Sequence, residues 1–544
     1  MLAACTQPAE KSAERPPDYV PDADYHILMG EVALQRGDYP VTAQEFAEAA
    51  KLSADPAVAA RAAQYSYDYG FDRYAFSSAS RWVELAPDNP TAHGLLALLL
   101  LRRDEPQQAY NHLERSLPPK EQREDNDYLG IVSSISGEGS AETTLAVMQM
   151  FADNYGPNAG ASLALAEAAI RAGAGEVAMT AAQDAIAIRP EWQKASAMLC
   201  RGQLAIDQKD AALDCMRALL QADDRLDTEL EYVRLLVQAD QVEVALDYLD
   251  DMEERRGFLP EIARMHGLIS FDQDDQVAAW SDFNKLLKSK YFENESLYYL
   301  GRMSQKNREY LPALRYFSRI RSGYLLVSAQ VEIAQILADV GNLDGGIQHL
   351  DEFYKQIPTL GFELWTAKAA LLSSAGRFDQ ALDAYARALE YQPDNINLLL
   401  GRAAVLDESG DYKAAIKEFR AVLKVVPDHA DAMNALGYTL ANRGKKLGEA
   451  QRLIDRALEQ HPDSAAYLDS KGWLLFRKGE LDAAETYLER AYALDENPEI
   501  AAHLGELMWA QGRDGEASII WMLALETHPT DRALINTIER FRQP

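Results

Sequence analysis

The chain has 544 residues, 48% of them apolar and 26% charged, and its 85 Asp and Glu against 54 Lys and Arg leave a formal charge of −31. This balance supports a buried core rather than wholesale disorder, and the acid excess disfavours nucleic acid and anionic membrane surfaces as partners, because both require a basic face. No stretch approaches the roughly eighteen apolar residues that span a bilayer; the richest run, Leu95 to Leu101, stops at Arg102.

The first residues, Leu2-Ala3-Ala4-Cys5, resemble a bacterial lipobox, which implies that residues 1–5 are the remnant of a lipoprotein signal and that Cys5 is the lipidation site. Thr6, not Asp, follows the cysteine. In lipoproteins of that kind this implies the outer membrane, with the protein facing the periplasm. Residues 6–22 hold Pro8, Pro16, Pro17 and Pro21 among small and charged residues, a composition expected to form an extended, solvated tether.

From residue 23 to 529 a turn marker recurs, usually Gly, Asp or Asn, followed about five residues later by a small residue. The markers are Gly37, Gly70, Asp104, Gly139, Gly173, Asp207, Asp240, Asp274, Arg308, Gly341, Gly376, Gly410, Gly444, Gly479 and Gly512, spaced 33 to 35 residues apart, so fifteen units result. Apolar residues recur at three- and four-residue spacing on both sides of each marker, which predicts two amphipathic helices per unit. A small residue stands seven positions before most markers, as in Gly30, Ala63, Ala97 and Ala166, where two helices must cross closely. Residues 530–544 supply a last helix and tail that would cap the stack.

In the clearest copy, Trp365, Ala369, Gly376, Phe378, Ala381, Tyr385, Ala388 and Pro393 occupy positions that resemble the tetratricopeptide signature. The resemblance implies an all-α superhelical solenoid of about fifteen helix-turn-helix repeats, in which each hairpin buries its apolar faces only by stacking on its neighbours. It covers roughly residues 23 to 541, leaving no room there for a separate catalytic domain.

The sequence carries few signs of chemistry. The nine His residues lack the paired spacing of a helical zinc site and are read as surface or packing residues. No phosphate loop, nucleophile elbow or dinucleotide fingerprint occurs, so neither a catalytic residue nor a metal or other cofactor is expected. Cys200 and Cys215 lie in the two helices of one unit and are read as small packing residues, with a disulfide as the alternative.

In tetratricopeptide proteins the first helices line the inner groove, and carrying that register over selects the candidate protein-binding residues. Arg201, Arg234 and Arg302 share one position and would form a cationic ladder suited to carboxylates. Asn434, Tyr438, Asp469, Trp473, Phe476, Glu506 and Trp509 would form a largely aromatic inner stripe nearer the C-terminus. The architecture resembles the long proteobacterial repeat lipoproteins that partner a carboxyl-terminal processing protease, which implies a non-catalytic adaptor holding a periplasmic serine protease and its peptidoglycan hydrolase substrates. The alternative is an outer-membrane scaffold for a secretion, pilus or polysaccharide-export apparatus.

Overall fold

A computed structural model describes residues 21–119, 122–222, 225–529 and 531–542. Cys5 and the tether up to residue 20 lie outside them. The described residues contain helices and connecting turns, with no strand among them. They fall into two compact units that divide between Gly361 and Phe362. Unit 1 carries ten helix hairpins, from the pair Ala23–Gln35 and Tyr39–Leu52 to the pair Leu326–Asp339 and Leu343–Gln356. Unit 2 carries five, from Gly361–Ser374 with Phe378–Tyr391 to Pro498–Ala510 with Asp514–Thr527, followed by the single helix Arg532–Arg542.

The turn markers work through backbone geometry. Fourteen of the fifteen adopt the left-handed conformation, with φ between 54° at Asp104 and 94° at Gly410. In the first hairpin the amide of Asp38 donates to the Ala33 carbonyl at 2.9 Å and that of Gly37 donates to Leu34 at 3.0 Å. This pair of bonds is the Schellman termination, which satisfies carbonyls that the helix end would otherwise leave unpaired. The same pattern ends later first helices, for example Ala174 to Ala169 at 2.8 Å, Asp275 to Ser270 at 2.8 Å and Arg513 to Met508 at 2.9 Å.

Gly139 is the exception. It does not adopt positive φ, and a Cβ built there would stand 2.6 Å from the Leu101 carbonyl oxygen. Glycine is required at this marker because the preceding hairpin's backbone comes too close, not because the turn is left-handed.

Helix starts are equally local. Asn89 and Asn158 accept from the amides of Ala92 and Ala161 at 3.1 and 2.8 Å, and Pro90 occupies the first helical turn after Asn89. Between start and stop, the small residues are sealed inside: Ala63, Ala97, Ala166 and Ala403 before their markers, and Ala75, Ala109, Ala178 and Ala415 after them, are all 0% exposed. Where the first position is Gly, a large side chain fills the space opposite. A Cβ at Gly505 would lie 2.0 Å from Trp521 Nε1, and one at Gly301 would lie 2.7 Å from the Phe317 ring.

Cys200 departs from the packing-only expectation. It occupies the small position of the sixth hairpin and is joined to Cys215 by a disulfide, with Cα atoms 5.6 Å apart. The two helices cross closely at that level, which brings the two cysteines within bonding reach.

Candidate functional site

In unit 1 the arginine ladder is neutralised. Arg201 lies 3.4 Å from Glu231, which also pairs with Arg234 at 2.7 Å, and Arg302 lies 3.3 Å from Glu332. The expected open row of cations is therefore corrected to ion-paired arginines: Arg201 and Arg302 each reach the next first helix, and Arg234 pairs within its own helix. Beside Arg234 a cavity of about 460 Å³ has Lys194 and Arg225 in its wall together with Glu191, Asp227 and Glu231, so its charges balance.

In unit 2 the predicted stripe separates into three parts. Trp509 packs against Trp521 and Phe541, with ring centroids 5.9 and 5.5 Å away, and Glu506, only 9% exposed, pairs with Arg540. Phe541 and Arg540 belong to the final helix, whose Leu534 and Ile538 are also buried. Glu506 and Trp509 therefore form the seat of that helix, which corrects their reading as part of an open groove.

Phe476 lies with its ring centroid 5.1 Å from that of Trp473, which is 5% exposed and stacks on His503 with centroids 4.1 Å apart. The Trp473 indole nitrogen donates to Asn442 Oδ1 at 3.4 Å. Trp473 and Phe476 are thus the floor beneath the groove rather than its surface.

The part that stays open is built by three consecutive first helices, Ala430–Asn442, Ala465–Lys478 and Pro498–Ala510. They place Asn434, Tyr438, Asp469, Ser470 and Glu499 around a pocket of about 260 Å³, which Asp495 also lines. The Tyr438 hydroxyl donates to Glu499 Oε1 at 2.8 Å and lies 3.3 Å from His503 Nε2. His503 Nδ1 lies 2.9 Å from Asp469 Oδ1.

Burial, and next the charge of Glu499, hold the Tyr438 phenol far above its ordinary range, so it remains a hydrogen-bond donor. Burial opposes a proton on His503, but Asp469 and then Glu499 outweigh it and raise its pKa above the usual imidazole value.

His503 and Glu499 are thus central to the site although neither is among the candidates read from sequence. The available signal is register: His503 lies 34 residues after Asp469, one repeat further on, and meets it across two first helices. Among the described residues no group of three or more His, Cys, Asp or Glu is arranged to hold a metal ion, and no helix is long and apolar enough to cross a membrane.

Stacked hairpins whose first helices converge on an open polar pocket define a helical-repeat protein. Family models described as tetratricopeptide repeat match residues 372–435, 406–474 and 470–531. Repeats of this kind are protein–protein interaction scaffolds. A TPR repeat-containing protein of Pseudomonas aeruginosa is 28% identical over 478 residues, covering 86% of this chain and 80% of the relative. Among solved structures, a TPR protein of Thermus thermophilus is 26% identical, with a TM-score of 0.31 over 33% of this chain and 97% of its own. A tetratricopeptide repeat protein of Parabacteroides merdae is 16% identical, with a TM-score of 0.38 over 45% and 97% of the two chains.

Proposed function

We propose that this protein is a non-catalytic, lipid-anchored adaptor of the outer membrane that faces the periplasm and holds a carboxyl-terminal processing protease together with its cell-wall hydrolase substrates. The observation that carries the binding role is the pocket of Asn434, Tyr438, Asp469 and Glu499, because one wall from each of three successive hairpins is suited to follow an extended polypeptide. The Cys200–Cys215 disulfide supports an oxidising compartment, since structural disulfides are rare in reducing cytosol. The lipobox-like Leu2-Ala3-Ala4-Cys5 supports the anchor. Tethering enzyme and substrate on one scaffold raises their effective concentration without a catalytic group.

The test is a cleavage assay with purified protease and hydrolase. Adding the adaptor accelerates cleavage, and Tyr438→Ala together with Asn434→Ala reduces the acceleration while leaving the helical circular dichroism unchanged. Cleavage that is insensitive to the adaptor contradicts the protease reading. Loss of membrane association for Cys5→Ser, expressed behind a complete signal, tests the anchor, and persistent association contradicts it.

A further inference from the structure

Exposed aromatic side chains are confined to one edge of unit 1. Among the described residues only Phe258, Tyr291, Phe292 and Tyr324 are both aromatic and exposed, at 42, 57, 39 and 76%. They lie in the three successive connections that lead from the seventh hairpin to the tenth. Each of these connections joins a second helix to the first helix of the next hairpin, so all three fall on the same edge of the stack. A ring left in water forgoes the burial that drives folding, and four collected on one edge mark a surface that another molecule covers.

Two of the connections are knitted into one surface. Asn294 Nδ2 donates to the Ser322 carbonyl at 2.8 Å, Arg319 pairs with Glu293 at 3.1 Å, and the Tyr324 hydroxyl donates to Glu295, which also binds Arg264. The Arg264 guanidinium lies 5.1 Å over the Phe292 ring. Both carboxylates of this surface are thus held by arginines. Lys288, Lys290 and Arg321 are exposed and pair with no carboxylate among the described residues, so three positive charges stand unmatched in a chain whose net charge is −31. The backbone is bent to the same display: Lys290 and Phe292 adopt φ of 62° and 49°, where the preceding connection turns on Gly257 at 75°. Left-handed backbone on either side of Tyr291 turns outward side chains that the fold itself does not bury.

We propose that this edge is a second docking surface, which takes an acidic segment of a protein partner: its carboxylates meet Lys288, Lys290 and Arg321, and its apolar groups cover Tyr291, Phe292 and Tyr324. Charge complementarity selects the occupant. A second copy of the chain would bring its own charge of −31, and an anionic bilayer would extend past the basic edge to the acidic remainder of the molecule. A short acidic segment meets the local positive charge alone, within a Debye length. The surface lies wholly in unit 1 and stands independently of the polypeptide-binding reading of unit 2.

The test uses the full chain and two short fluorescein-labelled peptides of one pattern, a central leucine and tyrosine flanked by glutamates or by glutamines, read by fluorescence anisotropy. The glutamate peptide binds about tenfold more tightly, equivalent to about 1.4 kcal/mol, and the difference shrinks as salt is raised. Lys288→Gln with Lys290→Gln and Arg321→Gln removes most of that difference, and Tyr291→Ala weakens glutamate-peptide binding about fivefold at an unchanged urea midpoint. Lys413→Gln, which alters an exposed cation of unit 2, leaves the difference intact. Equal binding of the two peptides, or a preference that survives the triple variant, overturns the proposal. Without a glutamate preference, binding to phosphatidylglycerol vesicles that the triple variant abolishes would assign the edge to a membrane, and dimers in sedimentation velocity that it abolishes would assign it to a second copy; either result overturns the proposal. Because the variants leave the groove of unit 2 untouched, failure here leaves the adaptor reading standing.

Discussion

Tyr39 in the second helix of the first hairpin meets Tyr354 in the second helix of the tenth, with ring centroids 6.1 Å apart and planes at 84°. Tyr39 also stacks on Tyr69 at 5.2 Å, and Tyr69 on Tyr65 at 4.4 Å. The stack of hairpins in unit 1 therefore returns on itself, and an aromatic cluster joins its first and last members. Edge-to-face aromatic pairs contribute about 0.5–1.5 kcal/mol beyond their buried area.

A double-mutant cycle of Tyr39→Ala and Tyr354→Ala is expected to give a coupling energy of about 0.5–1 kcal/mol in urea unfolding. Each single variant should speed amide exchange in both helices, although the two residues lie far apart in sequence. Strictly additive effects would remove the contact from solution.

The repeat itself was legible because the left-handed helix stop, the small crossing residues and the hairpin length all leave marks at fixed spacing. Even Asp207, Asp240, Asp274 and Arg308, which lack glycine's freedom, occupy left-handed turns at the expected places. Pairings between hairpins were less legible, since they run from one repeat to the next. Arg201 to Glu231 and Arg302 to Glu332 are both thirty residues apart, one period less one helical turn, so a reading within each repeat finds the cations but not their partners. The stripe failed at Glu506 and Trp509 for a related reason: the final helix, predicted as a cap, lands on those residues.

Arg308 has φ of 59°, a conformation that costs a non-glycine residue roughly 1–2 kcal/mol. Arg308→Gly is expected to stabilise the protein by up to about 1 kcal/mol, the gain being reduced by glycine's larger unfolded-state entropy. Asp104→Gly should show no such gain, because Asp104 accepts hydrogen bonds from Thr143 and Ser140 at 2.6 and 3.1 Å. Denaturant midpoints for both variants check the contrast.

The Cys200–Cys215 disulfide closes a loop of 15 residues in sequence, for which chain-entropy reasoning gives about 3 kcal/mol. Replacing both cysteines with serine should lower the stability of the sixth hairpin by about 2–3 kcal/mol. Amide exchange in Gln193–Ala205 and Lys209–Ala222 reads this directly. Unaltered protection there would mean that the bond adds nothing to the fold.

His503 is faced by Asp469, Glu499, Tyr438 and Arg540, and its folded-state pKa is raised above the unfolded value of about 6.5. Its contribution is therefore complete below about pH 6.5 and is lost as pH rises through the folded-state value. The stability difference between the native protein and His503→Asn should shrink with rising pH. Thermal unfolding of the two proteins across that range checks the sign, and a difference that grows with pH would contradict it.

The most direct test of the groove as the binding surface is site-specific photo-crosslinking in the cell envelope. A benzophenone amino acid replaces Asn434 or Ala466 in the first helices, and Lys413 or Asp482 on the exposed face of second helices. The account predicts covalent adducts with the protease or its hydrolase substrate from Asn434 and Ala466, and none from Lys413 or Asp482. Adducts with those partners from the second-helix positions alone would contradict it.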